Sequence, residues 1–220
     1  MSNLRKNRNR FDSRPLLLEL NSFDTICHEH LEYFRLKQIC WIIGKSGFKI
    51  IDIELNKLNG GSFSATVTKS SSSIQETSDV AKLMNEEKKG LNTSKPYDKF
   101  RSNVFEFKSN IRQLLDKIHN EKGLIVGYGA STKGNDLLQF SGITSSDIPF
   151  IGEVNKDKFG CYAPGTLIPF ISEDDARKMN PDYFFVFPWH FKNFILAKEK
   201  SNPSRGLSFL FPLPSIEIIS

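Results

Sequence analysis

Apolar side chains return in two rhythms along this chain, and the places where the rhythm changes mark its parts. Between residues 95 and 121, Phe100, Val104, Phe107, Ile111, Leu114, Leu115 and Ile118 recur every three or four positions, one face of a helix of about seven turns. A shorter helix is predicted over 32–46, where Leu36, Ile39, Cys40 and Ile43 share a face and Gly47 stands at the position of a terminating glycine. Residues 48–55 alternate, Asn59, Gly60 and Gly61 supply turn chemistry, and 62–69 alternate again through Phe63, Ala65 and Val67. That pattern predicts a hairpin-like pair of strands. Residues 70–94 carry few large apolar side chains and read as a polar linker.

After the long helix the pattern becomes strand and connection in turn: apolar runs at 124–128, 148–153, 183–188 and 207–211, with helices fitting at 134–140 and 191–201. This alternation predicts an α/β unit with a mostly parallel sheet covered by helices, in which ligands bind beyond the carboxyl ends of the strands. Three places meet that rule: the loop 127–134, Glu153 with Asn155, and Pro188-Trp189-His190, and they are expected to face one crevice. The first follows an apolar run and opens a helix, with glycines at 127, 129 and 134 that permit close backbone approach and leave helix-start N–H groups for an anion. Thr132 occupies the place of the third glycine of a dinucleotide fingerprint, which disfavours an NAD-dependent oxidoreductase. Asn135 and Asp136 stand where a Walker loop needs Lys and then Ser or Thr. The loop therefore predicts a ligand near a helix N-terminus without naming it.

Composition narrows the class. The chain has 220 residues, 39% of them hydrophobic, with 19 Phe, enough for one large domain or two small cores. No apolar run approaches the roughly 18 residues of a membrane helix, and the N-terminus lacks a secretory h-region. Cys27, Cys40 and Cys161 show no paired spacing, so a reducing cytoplasm is the expected compartment. The net charge of +5 is concentrated in residues 1–14, where Arg5, Lys6, Arg8, Arg10 and Arg14 face only Asp12. It predicts a basic disordered arm, and nucleic acid is not an expected partner.

Candidate chemistry gathers at His28-Glu29-His30 and around the loop. From residue types alone the first is a helix-start cluster or an active-site remnant; with only two imidazoles close in sequence and no spaced third ligand, no metal site is expected. Lys133 with the loop N–H groups suits a diphosphate, Asn135 and Glu153 suit sugar or ribose hydroxyls, and Trp189-His190 suits a cap over the crevice. Solvated charge for Lys133 and simple packing for Trp189 are the structural alternatives.

Phe23-Asp-Thr-Ile-Cys-His-Glu-His-Leu31 and Gly127-Tyr-Gly-Ala-Ser-Thr-Lys-Gly-Asn135 resemble stretches of the SAM-dependent sugar C-methyltransferases. The likeness continues in order through Ile151-Gly-Glu-Val-Asn155, Lys158 with Gly160, Pro164-Gly-Thr-Leu-Ile-Pro169, Pro181-Asp-Tyr183, Pro188-Trp-His-Phe191 and Phe211-Pro-Leu-Pro214. As the resemblance implies, such proteins have a zinc-binding N-terminal region, a SAM-binding α/β domain and a C-terminal Rossmann-like domain, and they methylate a carbon of a nucleotide-linked keto-deoxysugar. This chain is similar to that pattern over about residues 15–219, and no acidic-x-Gly-x-Gly motif precedes residue 127.

The implied organisation is a basic arm at 1–14, the tail of a SAM domain at 15–69, a linker at 70–94, a linking helix at 95–122 and a Rossmann-like domain at 123–220. The resemblance assigns His30 to base duty, with Glu29 orienting sugar or histidine, while Cys27 stands where the family shows tyrosine. It makes Gly127, Gly129, Lys133, Gly134, Asn135, Glu153, Asn155 and His190 the substrate-binding set and a nucleotide-diphosphate sugar the ligand. SAM is the implied cofactor, with its own site outside this sequence. A separate SAM-binding chain, a gene remnant, or a repurposed C-terminal domain would each account for that.

Overall fold

The computed structural model describes residues 7–12, 14–56, 61–200 and 206–220. The chain forms two compact units: one of residues up to Ser22 together with Glu29–Arg101, the other of Phe23–His28 and Ser102–Ser220. No described helix is long and apolar enough to cross a membrane.

In the first unit, β1 (Asn7–Asp12), β3 (Ser62–Lys69) and β2 (Phe48–Asn56) form an antiparallel sheet in the order β1-β3-β2. The predicted pair of strands is β2 and β3, and the turn read at 59–61 lies outside the described residues except for Gly61. A bulge between Ile50 and Asp52 shifts the register, so Ile50, Ile51 and Ile53 are all buried where strict alternation would expose one of them. Within the segment read as a basic arm, residues 7–12 are the strand β1, while 1–6 and 13 lie outside the described residues. A short helix α1 (Arg14–Glu19) follows β1.

Helix α2 (Leu36–Lys45) ends as its sequence predicts, with Gly47 at φ 78°. It starts later than residue 32. The segment read as linker contains α3 (Ser78–Gly90). Leu36 and Ile39 from α2, Ile50 and Ile53 from β2, Phe63 and Ala65 from β3, and Val80 and Leu83 from α3 make one core. The inward stripe of α3 runs 80, 83, 87, and its third member is the buried Glu87, which is why the stretch looks polar. Glu87 accepts the Leu36 N–H at 2.7 Å and lies 3.7 Å from the Arg35 guanidinium, so a carboxylate of one helix satisfies the start of another.

Helix α4 (Lys95–Asn120) is the long helix read from the sequence, with Val104, Phe107, Ile111, Leu115 and Ile118 buried. The second unit is an α/β fold with a six-stranded sheet in the order β6-β5-β4-β7-β8-β9. Its strands are β4 (Ile125–Tyr128), β5 (Ile151–Glu153), β6 (Phe170–Ser172), β7 (Tyr183–Val186), β8 (Ser208–Phe211) and β9 (Glu217–Ile219). All pairings are parallel except β8 with β9. Helices α5 (Thr132–Ser141), α6 (Glu173–Lys178) and α7 (Lys192–Lys200) flank it. From β4 the chain moves outward through β5 to β6 and then returns to place β7 on the other side of β4. That reversal puts a switch point, the usual place for a ligand, at the carboxyl ends of β4 and β7.

Candidate functional site

The glycines of the loop have unlike reasons to be there. Gly127 lies inside β4, where a Cβ would come within 2.7 Å of Ile151 and 2.8 Å of the Phe187 ring. Gly134 lies on α5, where a Cβ would press on Phe187 at 2.9 Å. Both serve close packing of strand and helix around Phe187, and neither forms part of the pocket wall. Gly129, at φ 79°, makes the turn itself, and Ser131 caps α5 by accepting the Gly134 N–H at 3.0 Å.

The ends of β4, β5 and β7 do converge. Gly129 and Ala130, Glu153 and Val154, and Pro188 with Phe191 surround a pocket of about 490 Å³ completed by Phe194, Ile195, Tyr128, Glu173 and Lys198. Its wall is mostly apolar, with Phe194 and Val154 at the rim, about 70% exposed. At the floor Lys198 donates to the Tyr128 hydroxyl at 3.2 Å and to Glu173 at 2.8 Å, and Arg177 joins Glu173 to Glu199. Burial pushes the Tyr128 phenol up. Burial works against the charge of Glu173, but Lys198 and Arg177 outweigh it and hold that carboxyl below its usual range.

Glu153 is buried and fully engaged. Its oxygens accept the N–H groups of Ala130 at 3.0 Å, Val154 at 2.7 Å and Asn155 at 2.9 Å, with the Lys158 ammonium at 3.4 Å. Burial disfavours its charge, yet the Asn155 and Val154 donors and Lys158 keep the carboxyl below the usual range. Those four donors take up a carboxylate's lone-pair sites, so Glu153 pins the glycine turn to the end of β5 instead of offering acceptors to a sugar. The Gly129 N–H is spent on the Gly152 carbonyl at 2.8 Å. The Glu153 carboxylate and the Gly129 and Ala130 N–H groups are therefore already engaged within the protein and are not offered to a ligand. Asn155 caps the turn after β5 by accepting the Asp157 N–H at 3.1 Å, and it does not line the pocket.

Lys133, His190 and Trp189 belong to a second cluster of the same unit. The Lys133 ammonium donates to the Thr25 hydroxyl at 3.3 Å, and the Trp189 indole donates to Asp24 at 2.7 Å. His190 is half-buried, and its Nδ1 has no hydrogen-bond partner among the described residues. Burial, with the Lys133 charge adding to it, pushes His190 down to about 4, so the ring is neutral near pH 7. Asn135 is half-buried on α5. The set read from the sequence is thus divided: Gly129 and Glu153 face the pocket, Lys133 and His190 face the Asp24 cluster. Asp24, Tyr128, Phe194 and Lys198 were not legible as site residues. Phe194 and Lys198 share α7 at a spacing of four, the one local signal that could have placed them together.

His28 and Glu29 are exposed and His30 is half-buried, and the chain passes from the second unit to the first between His28 and Glu29.

A mostly parallel sheet reversing at β4, a glycine turn and a pocket at the strand ends define an α/β unit with a crevice at its switch point. The model of a family described as the C-methyltransferase C-terminal domain matches residues 57–214, and the chain belongs to that family. It is also similar to the C-methyltransferase NovU of Streptomyces niveus, 30% identical over 210 residues, which are 94% of this chain and 50% of that protein. The chain spans about half the length of this relative.

Proposed function

We propose that this chain is the substrate-handling part of a SAM-dependent C-methylation, acting on a nucleotide-linked keto-deoxysugar. The observation that carries this is the family match over 57–214, which covers the strand ends that form the pocket. Lys133 and the start of α5 meet the diphosphate. The apolar wall at Phe191 and Phe194 receives the flat base. Carbon next to a ketone becomes nucleophilic only when a base removes its proton, and His30 is that base, with Glu29 orienting it.

In this reading SAM is held by a separate SAM-binding half, with residues 15–69 as the tail of that domain; the engaged Gly129 and Ala130 N–H groups and the engaged Glu153 carboxylate support it. A second reading, a non-enzymatic nucleotide-sugar-binding module, draws on the same engaged Gly129 donor and Glu153 acceptor. Calorimetry on the purified chain separates the readings. Binding of a nucleotide-diphosphate sugar without binding of SAM is the expected result. SAM binding by the chain alone would refute the missing cofactor site, and failure to bind any nucleotide sugar would remove both readings.

A further inference from the structure

Residues Phe23–His28 form a strap that belongs to the second unit, although the chain on both sides of it belongs to the first. The strap is held at every turn. The Phe23 ring lies 5.1 Å from those of Phe107 and Phe140. Asp24 is 1% exposed, and its Oδ2 receives the Trp189 Nε1–H at 2.7 Å, while Thr25 receives Lys133. Ile26 and Cys27 close the turn by donating to the Phe23 and Thr25 carbonyls at 2.9 and 3.0 Å. The other oxygen of Asp24 is buried without a partner among the described residues, so this carboxyl is an expensive way to fill space. An apolar residue would pack there at less cost. What the carboxyl supplies is a directed bond to one indole.

We propose that Asp24 and Trp189 are positioning residues: their hydrogen bond fastens the strap to the C-terminal unit and thereby limits where the chain can carry His30. The reach follows from chain geometry. His30 is two residues beyond His28, the last residue of the strap, and an extended chain spans at most ~3.6 Å per residue. The Cα of His30 therefore stays within about 7 Å of that of His28. Fastening the strap therefore limits how far the imidazole can travel from His28. Losing the bond loosens the strap, which the Phe23 ring contacts and Lys133 still hold, while leaving the pocket intact. The role in catalysis rests on the reading of His30 as the base; the fastening itself does not.

Amide hydrogen exchange on the full chain tests the fastening. In Trp189→Phe, which keeps an aromatic ring and removes the donor, the Ile26 and Cys27 amides exchange about tenfold faster while Val126 and Gly127 in β4 are unchanged. Asp24→Asn, whose amide oxygen still accepts from the indole, stays within about twofold of the wild type. Unchanged strap exchange in Trp189→Phe, or equal acceleration in β4, overturns the proposal. In methyl transfer reconstituted with a SAM-binding half, Trp189→Phe lowers kcat about tenfold with KM for the nucleotide sugar within about twofold. A freed strap with unaltered kcat would remove the positioning role. If His30→Ala turns over normally in the same assay, the base reading falls, and the exchange result still decides the fastening.

Discussion

The Glu153 carboxylate and the Ala130 N–H, 23 positions apart, meet at 3.0 Å and make the end of β5 and the turn after β4 one hydrogen-bonded piece. The pocket wall they share is set by this bond before any ligand arrives.

Removing that carboxylate takes the acceptor from the part-buried Ala130, Val154 and Asn155 N–H groups, so Glu153→Ala lowers unfolding stability by about 1–2 kcal/mol in urea titrations. The folded carboxyl titrates below its ordinary 4.5, so its contribution is complete above that pH and is lost as acid approaches the lower folded value. Glu153→Gln shows a smaller loss of stability than the wild type when the pH is taken from 5 to about 3. An equal loss in both proteins would exclude Glu153 as a source of acid sensitivity.

His190 carries linkage of the same sign in a higher pH window. Its folded value of about 4 lies below the ordinary 6.5, so between those values the unfolded chain binds the extra proton and stability falls as the pH falls. The loss is at most ~1.4 kcal/mol per pH unit, and replacing His190 by Phe removes it. Histidine NMR titration should show one ring unprotonated above pH 5. Binding of a nucleotide-diphosphate sugar raises that ring's titration point, because the diphosphate neutralises Lys133; an unmoved titration would place the anion elsewhere.

Gly134 tests whether the loop glycines serve packing. Alanine in a helix normally gains about 1 kcal/mol over glycine, but here its methyl meets Phe187 at 2.9 Å. Gly134→Ala is therefore expected to lose about 1–3 kcal/mol in thermal or chemical unfolding, and the loss shrinks when Phe187→Leu makes room. A stabilised Gly134→Ala would return this glycine to the list of ligand contacts.

His30→Ala, in the reconstituted reaction, is expected to abolish methyl transfer while leaving nucleotide-sugar binding by calorimetry nearly unchanged. Full residual turnover would take His30 out of the base role.

Much of the fold could be read from periodicity because its long elements carry intact stripes. Helix α4 buries Val104, Phe107, Ile111, Leu115 and Ile118, and no polar residue interrupts that row. Helix α3 was missed because Glu87 sits where a third apolar residue belongs, and β6 and β9 are three residues long, too short for alternation to register. At the site, the strand-end rule finds Gly129 and Glu153, since it depends only on where strands stop. It does not find Asp24, whose partner Trp189 lies 165 positions away. Nor could it show that Glu153 is spent on backbone donors, because that follows from the path of the turn and not from residue type.

The carboxylate at Glu87 has a consequence for the order of assembly. The first N–H of α2, at Leu36, finds its acceptor 51 positions downstream; Gln38 satisfies the Arg35 N–H locally, but Leu36 and Lys37 depend on Glu87. A growing chain that has reached only β3 holds all three strands of this sheet and the apolar face of α2, yet lacks the Glu87 acceptor that α3 supplies. The closure of α2 is thereby tied to a contact of long sequence separation, the kind of contact that slows folding.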